Sequence, residues 1–534
     1  MAAQSALDAC SWDLALTSFR DIARETEDPL AYEGMAQAAW WLDEGDSCLR
    51  ARETAYRRHR NLGDALGAAR AATALAWDSL LFGHGESVAL GWLGRAGSLL
   101  QELDEAAEHG WHAVREAELA MEVGHDPDRA LLAGERASAI ARRLGLGDLA
   151  VVGLALQGLA MTSAGNVQAG FARLDASVAA ATSGDVPDPM WMGKVCCWLI
   201  AACNQNKDLA RAADWCRRVE AICVERQLAP LFTVCRVQYA SVRVAQGCWR
   251  EAEQELTAVL NQLSASRRAS RLDAVVQLGE LRRRQGRADE AESLFAQAEF
   301  HPSAITGRAR MQMSRGDPAA AWTTMRALLQ WLPLAGRLAR AEVLLTAVLV
   351  ARAAEDNDAA QLLATELRQT AELIGSGSLL ATASAADAAL APPAAAVLLL
   401  TEAVRRFSAA GLRFDEAHTR LSLAEALIAT GEGAAARHHL ALATEVLSEL
   451  SALDDLARAH RLADAAGVPA AGPLSPRERQ VLRLVSQGMS NPEIAVALVV
   501  SHHTVHRHIG NILTKLGKTS RTGAASYAIH AGLL

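Results

Sequence analysis

The residues best suited to chemistry in this sequence lie near the C terminus, between Ser501 and Lys515. Polar side chains recur there at intervals of three and four residues, which places them on one face of an α-helix. They offer hydroxyl, imidazole, guanidinium, amide and ammonium groups, which hydrogen-bond to phosphate oxygens and base edges. The members of this predicted face are Thr504, His506, Arg507, Gly510, Asn511, Thr514 and Lys515, with His508 beside them. The pattern predicts a surface that reads double-stranded DNA.

Two apolar groups on the same stretch are candidates for contact with bases. Val505, or the methyl group of Thr504, could pack against a thymine methyl group in the major groove. Val505 also begins the apolar series that this helix should turn inward. The other members of that series are Ile509, Ile512, Leu513 and Leu516.

Two other kinds of site compete for these residues. His502 and His506 are four residues apart, a spacing at which one helix face can hold a metal ion. Because His503 stands where a metalloprotease motif needs glutamate, we favour polar contacts with DNA. Gly517-Lys518-Thr519 resembles the end of a phosphate-binding loop, but Ile512 occupies the place of its first glycine. We predict no cofactor, no metal ion and no enzymatic activity.

Helix start signals divide the C-terminal region into four helices. Ser475 to Glu478 and Ser490 to Glu493 both have the form of a capping box with proline near the first helical position. Ser501 should cap the third helix, and a fourth should run from about Ser520 to His530. A short helix, a tight turn and a longer basic helix predict a helix-turn-helix, whose second helix enters the major groove.

Charge separates this region from the rest of the chain. Residues 473–534 contain seven Lys or Arg and two Glu, a net charge of +5, so the total of -8 leaves -13 elsewhere. An acidic body joined to a small basic region indicates that the basic region meets a polyanion. Two prolines and two glycines within 466–473 cannot continue a helix. We therefore predict a repeat region at 1–465, a linker at 466–473 and a DNA-binding domain at 474–534.

The N-terminal region repeats a helical hairpin about every forty residues. Apolar helical stretches are separated by tight turns at Gly, Asn, Asp or Pro, and only the step from 286 to 316 is short. Such hairpins bury their apolar faces by stacking on their neighbours, which predicts an all-α solenoid rather than an irregular all-α domain. The predicted turns lie near residues 45, 85, 125, 165, 206, 247, 286, 316, 356, 392 and 431.

Length and composition agree with this architecture. A chain of 534 residues exceeds what one hydrophobic core supports. Aromatic residues are only 4% while alanine and leucine dominate, which favours helices over strands. The polar residues in the run from Leu149 to Gly165 make a buried helix a better interpretation than a membrane span. Nine cysteines without paired spacing, and an acidic opening segment, predict a reduced cytoplasmic protein.

Cysteine and tryptophan are concentrated in the repeats. Seven of the nine cysteines lie between Cys196 and Cys248, and all twelve tryptophans lie between Trp12 and Trp331. We favour core packing for both sets. The alternatives are a redox or metal sensor for the cysteines, and a ligand groove inside the superhelix for the tryptophans.

The C-terminal sequence resembles the LuxR-type DNA-binding domain over about 60 residues. The resemblance is carried by Leu474 to Leu484, Gly488 to Ala495, Ser501 to His508 and Asn511 to Gly517. The implied DNA-binding residues are Ser490, Asn491, Ser501, Thr504, Val505, His506, Arg507, His508, Asn511, Lys515 and Lys518. The resemblance also implies a homodimer joined through the last helix, at Ala524, Ala525, Ala528 and Ala531.

Two departures from that family concern the predicted reading face. His506 stands where its members usually carry lysine, and Gly510 stands where they carry serine or a longer polar side chain. Sequence readout is therefore expected to depend on Arg507 and His506.

The repeats resemble the tetratricopeptide-like repeats of bacterial regulators. With the LuxR-type resemblance, they imply a transcription regulator whose repeats receive a small-molecule or protein signal, without a membrane partner. Large ATP-binding LuxR-type regulators place an ATPase before similar repeats, but here the repeats are expected to begin near residue 8 without one. The alternative is a helical-repeat scaffold for protein assembly with a secondary nucleic-acid-docking tail.

Overall fold

The computed structural model of the chain describes residues 2–206, 208–225, 229–264, 269–334, 336–466, 474, 476–498, 500–516, 518 and 520–530. Regular secondary structure in these residues is helical throughout, and includes a π-helical segment at Ala181–Asp185. The all-α prediction is confirmed.

The helices of the repeat region follow one another with short connections. The first half contains α1 (Ala2–Asp8), α2 (Trp12–Thr26), α3 (Pro29–Trp41), α4 (Gly45–Asn61), α5 (Ala65–Leu81), α6 (Glu86–Leu100), α7 (Ala107–Glu122), α8 (Pro127–Leu144), α9 (Gly147–Ser163), α10 (Val167–Ala180), α11 (Pro189–Asn206) and α12 (Leu209–Glu225). The second half contains α13 (Ala229–Gln246), α14 (Trp249–Gln262), α15 (Ala269–Arg284), α16 (Ala288–Ala296), α17 (Pro302–Ser314), α18 (Pro318–Trp331), α19 (Arg337–Ala353), α20 (Asn357–Ile374), α21 (Gly377–Leu390), α22 (Pro393–Ala409), α23 (Arg413–Ala429), α24 (Gly433–Leu450) and α25 (Leu453–Ala465).

All eleven predicted turns separate an odd-numbered helix from the even-numbered helix that follows it, between α3 and α24. The short step from 286 to 316 arises because α16 has 9 residues and α17 has 13. An additional pair, α1 and α2, begins at Ala2, so the helices start earlier than the expected residue 8.

The hairpins form two layers. Each odd helix packs against its even partner, and most odd helices also pack against the odd helix of the next hairpin. The odd helices are therefore covered on several sides: in α9, buried residues run continuously from Ala155 to Ser163. The even helices bury a single stripe, as α20 does with Ala360, Leu363, Leu367 and Ala371. This arrangement confirms the helical-hairpin solenoid.

Burial of α9 accounts for the apolar run that begins at Leu149. Within the described part of the chain, none of the helices combines the length and the apolar character needed to cross a bilayer.

The α9–α10 hairpin is tight because two glycines face each other. A Cβ atom added to Gly158 would lie 2.8 Å from the carbonyl oxygen of Gly170 and 3.0 Å from the backbone nitrogen of Leu174. Backbone atoms cannot rotate away as a side chain can. The crossing therefore requires glycine at this position.

Gly158→Ala should destabilise the protein by about 1–3 kcal/mol, because the methyl group must push α9 and α10 apart. The measurement is urea unfolding followed by tryptophan fluorescence. Gly91→Ala is the matched control, since a Cβ at this helical glycine of α6 meets nothing within 4 Å. It should stabilise α6 by up to about 1 kcal/mol. Equal effects of the two substitutions would contradict this account of the crossing.

The superhelix contacts itself one turn further along the chain. The turn after α9 lies against the end of α20, where a Cβ on Gly165 would stand 3.0 Å from Leu373 Cγ. At the next turn, the Ser376 hydroxyl donates a hydrogen bond of 3.0 Å to the Asn206 carbonyl oxygen. Successive turns of the solenoid therefore pack directly on one another.

The same contact continues through the following hairpins. The ring of Trp249 in α14 lies 5.2 Å from that of Phe414 in α23, measured between centroids. The turn after α15 meets the start of α25, where a Cβ on Gly286 would lie 3.1 Å from Leu453 Cβ. Gly286 has a φ of +76°, so glycine suits both its backbone and this close approach.

The C-terminal region has a hydrophobic core of its own. Its helices are α26 (Pro476–Ser486), α27 (Asn491–Ala497), α28 (His502–Leu516) and α29 (Arg521–His530). The buried members of the core are Leu474, Val481, Leu482, Val485, Ile494, Ala495, Val505, Ile512 and Ala524. The four predicted helices are thus present. Of the predicted linker, Ala466 is described and 467–473 lie outside the described residues.

Most of the tryptophans pack in the interior, and so do three of the five central cysteines whose side chains the structure describes. Six tryptophans are buried and five are half-buried, while Trp331 is 54% exposed. Cys196, Cys203 and Cys216 are buried, and burial raises the pKa of the Cys216 thiol to about 12. Core packing is confirmed for these residues. Cys248 is exposed, and the side chains of Cys223 and Cys235 lie outside the described residues.

Candidate nucleic-acid interface

The start of α27 is fixed by a capping box. The backbone N–H and the hydroxyl of Ser490 donate to the same carboxylate oxygen of Glu493, at 2.6 and 2.8 Å. These hydrogen bonds lower the pKa of Glu493 below its usual range, so the carboxylate is charged at neutral pH. The predicted box is confirmed here, while Ser475, of the first predicted box, lies outside the described residues.

The start of α28 is fixed by Ser501, as predicted. Its hydroxyl oxygen accepts a 3.1 Å hydrogen bond from the backbone N–H of Thr504. Val505 and Ile512 then anchor the helix in the core. Since α28 packs against α26, α27 and α29, its orientation is set by contacts with all three other helices.

The opposite side of α28 is polar and open to solvent, and we call it the reading face. Its exposed members are His506, Arg507, Gly510, Asn511, Thr514 and Lys515, and Thr504 and His508 are half-buried at its margin. Ser490 and Ser501 are also exposed, while Asn491 and Lys518 are half-buried. The helical period thus placed the polar residues correctly.

Val505 does not belong to the reading face. It is completely buried in the core of the C-terminal region, so the expectation that it contacts a thymine methyl group is wrong. Its place in the apolar series decides its position, because a helix side chain cannot face both the core and the groove.

Ala524 also requires correction. It is 2% exposed within the same core, so it cannot serve as a contact to a second copy. Ala525 is half-buried against that core. The side chain of Ala528 and the whole of Ala531 lie outside the described residues.

An ion pair and a set of hydrogen bonds from an arginine tie the polar residues to the domain. Lys515 Nζ donates to Glu478 Oε2 at 2.7 Å, and this carboxylate is almost fully buried. Arg521 donates to Asn491 Oδ1 at 2.6 Å and also to the Met489 carbonyl oxygen. Both contacts join residues at least 30 positions apart, so sequence reasoning did not find them.

The histidines of α28 do not form a metal site with other described residues. No group of three or more potential ligands lies close together within the part of the chain that the structure describes. His502 and His506 are both exposed. His508 differs, because its Nδ1 is buried and has no hydrogen-bond partner among the described residues.

Gly510→Ala should stabilise α28 by about 1 kcal/mol, because this helical glycine is exposed and a Cβ there meets nothing within 4 Å. Thermal unfolding of residues 470–534 measures the effect. The control is Gly488→Ala, where a φ of +85° makes any side chain unfavourable, and this variant should be less stable. A destabilised Gly510→Ala protein would show that this position is not an ordinary helix site.

Comparison with known proteins agrees with this geometry. Residues 472–528 match the family model described as bacterial regulatory proteins, luxR family. The segment is 45% identical over 60 residues to the uncharacterized transcriptional regulatory protein YhcZ of Bacillus subtilis, covering 11% of this chain and 28% of YhcZ. It is 44% identical over 59 residues to the response regulator Rre1 of Synechocystis, covering 11% and 26%. The predicted resemblance of the C-terminal region is thereby confirmed.

Each of these two relatives, like a regulator of Mycobacterium bovis, matches only 11% of this chain. In a 46% identical HTH-type regulator of Mycobacterium bovis, the chain spans only 7% of the relative's length. Over most of its length the chain is similar to the crystal structure of the APC/C hetero-tetramer Cut9-Hcn1, with 14% identity and a TM-score of 0.36. That likeness covers 86% of this chain and 95% of the other.

Proposed function

We propose that this protein is a cytoplasmic, sequence-specific DNA-binding transcription regulator, with residues 474–534 as its DNA-binding domain. The observation that carries the proposal is the reading face, which is exposed on a helix whose opposite side is anchored in a separate core. Exposed guanidinium, ammonium, amide and imidazole groups on one helix suit phosphates and base edges. The family match over residues 472–528 supports the same assignment.

Within this proposal, α28 enters the major groove and the capped N terminus of α27 lies beside the backbone. The residues assigned to DNA contact are Ser490, Asn491, Ser501, Thr504, His506, Arg507, His508, Asn511, Lys515 and Lys518. A homodimer would place two copies of α28 in successive major grooves, about 34 Å apart. We assign the repeats at 1–465 the reception of a small-molecule or protein signal.

The test is DNA affinity as a function of salt for the full chain and for residues 470–534. If Lys and Arg neutralise phosphates, the logarithm of the binding constant should fall linearly with the logarithm of salt, by about 0.9 for each phosphate. The control variant is Arg405→Ala, whose side chain is 66% exposed in the repeat region and pairs with Glu402. It should leave the slope unchanged. No DNA binding by either protein would favour a protein-assembly scaffold instead.

A further inference from the structure

A cleft of about 440 Å³ lies where α25 meets the α15–α16 turn and α17. Four arginines line it: Arg283 from α15, Arg310 from α17, Arg315 immediately after α17, and Arg461 from α25. The lining also contains one carboxylate, Asp454. We call this the arginine cleft. Its volume falls in the range of clefts that hold small molecules.

The lining of the arginine cleft carries four guanidinium groups against a single carboxylate, that of Asp454. Glu280 is shared by three guanidinium groups, which donate to it from Arg283 at 2.8 Å, Arg284 at 2.9 Å and Arg310 at 3.0 Å. Arg315 has only a 3.5 Å contact with Glu292. Asp454 and Asp455 also attract Arg283, and Asp415 attracts Arg310. The positive charge that remains lies at the exposed Arg315 and Arg461.

The pKa of Arg310 is lowered by burial and by the neighbouring arginines. Burial lowers its pKa to about 10, despite the attraction of Glu280, and the charges of Arg283 and Arg284 lower it further. Its side chain nevertheless remains 34% exposed, so a solute can reach it from the cleft. An anion placed there would relieve the repulsion between these cations.

Arg461 supplies donors that none of the described residues engages. It is exposed on α25, and among the described residues it has no ion-pair or hydrogen-bond partner. Guanidinium groups present paired N–H donors that match the oxygens of phosphate and carboxylate groups. Arg461 and Arg310 therefore offer donors from two elements to one solute.

A second cleft, of about 400 Å³, lacks an excess of positive charge. It is lined by Asp175, Asp208 and Asp214 together with Arg211 and Arg218. Arg211 is paired there with Asp175 at 2.6 Å and Asp208 at 3.0 Å. Three carboxylates stand against two guanidinium groups in its lining, so this cleft does not favour an anion.

We propose that the arginine cleft binds a small polyanion carrying phosphate or carboxylate groups. This rests on the proposed function in that it gives the chemical class of the signal received by the repeats. The position suits such a role, because α25 is the last helix before the segment that leads to the DNA-binding domain. The arginine cleft also lies at the contact between successive superhelical turns.

The test is isothermal titration of the full chain with inorganic pyrophosphate and, separately, with citrate, at constant ionic strength and without DNA. We expect saturable binding of at least one, and the stronger of the two identifies the preferred anionic group. Arg461→Gln and Arg310→Gln should each weaken it tenfold or more. Arg405→Gln, a control on an exposed arginine paired with Glu402, should not change it.

Arg461→Gln removes an exposed side chain, so its folding should be unaffected, and circular dichroism can verify this. The proposal is overturned if neither anion binds saturably, or if both cleft variants bind as the wild type does. Because DNA is absent from the titration, failure here leaves DNA binding by α28 unaffected, and failure of DNA binding leaves this result standing.

Discussion

Replacing Arg507 with alanine should remove most of the protein's preference for its target sequence. Arg507 is exposed near the middle of the reading face, and the described residues provide it with no ion pair or hydrogen bond. A free guanidinium at this position can bond to guanine O6 and N7 together. Losing such a contact costs about 1–3 kcal/mol, or about 5- to 150-fold in affinity for the target.

The measurement is fluorescence anisotropy with a duplex that the wild-type protein selects from random sequence and with a scrambled duplex. The contrast is Lys515→Ala, which should weaken both duplexes alike and reduce the salt slope by about one. Because Lys515 also contacts buried Glu478, unfolding of this variant must be checked. Arg507→Ala binding both duplexes with wild-type affinities would remove Arg507 from the interface.

Glu118→Gln should strongly destabilise the repeat region. Glu118 is 1% exposed, and both Arg115 and Lys194 donate to its carboxylate. Tryptophan rings enclose the two cations: Lys194 Nζ lies 3.3 Å from the ring centroid of Trp77, and the Arg115 guanidinium carbon lies 4.4 Å from that of Trp191. Without the carboxylate, two buried cations would face each other at a cost of about 3–5 kcal/mol.

The loss of stability caused by Glu118→Gln should depend on pH. Burial lowers the pKa of Lys194 to about 8, although Glu118 acts to raise it. An unfolded lysine titrates near about 10.4, so above about pH 8 the folded chain binds fewer protons at Lys194 than the unfolded chain. The contribution of this group to stability therefore rises with pH between these values. Since the Glu118→Gln protein gains most from a neutral lysine, its deficit should be smaller at about pH 9 than at about pH 6.

Urea unfolding followed by tryptophan fluorescence, to which Trp77 and Trp191 contribute, measures the change in stability. Glu402→Gln is the control, because Glu402 pairs with Arg405 and Arg406 at the surface and its replacement should change stability little. Equal midpoints for Glu118→Gln and Glu402→Gln would mean that the buried cluster does not stabilise the fold.

The sequence located the hairpins well because their turns depend on local chemistry. Glycine in the left-handed region ends α9, α13 and α15 at Gly165, Gly247 and Gly286, and each could be recognised from its neighbours. The contact between superhelical turns was not predictable in this way. It results from small rotations accumulated over several hairpins, which bring Gly165 to Leu373 across about two hundred residues.

At the reading face too, some features follow from local sequence and others depend on tertiary packing. Its polar residues could be placed from the helical period alone, and the burial of Val505 also follows from that period once its apolar neighbours are given precedence. Partners such as Arg521 for Asn491 depend on how α29 packs near α27, and no local pattern encodes that. Ala524 illustrates the limit, because a small residue suits either a core or an interface.

Contact between successive coils of the repeat region has a mechanical consequence. An open array of repeats lengthens under weak force, because only adjacent repeats resist. Here, elongation must first break the Ser376 hydrogen bond to Asn206 and separate Leu453 from Gly286. The repeat region should therefore resist extension up to a threshold force and extend readily beyond it.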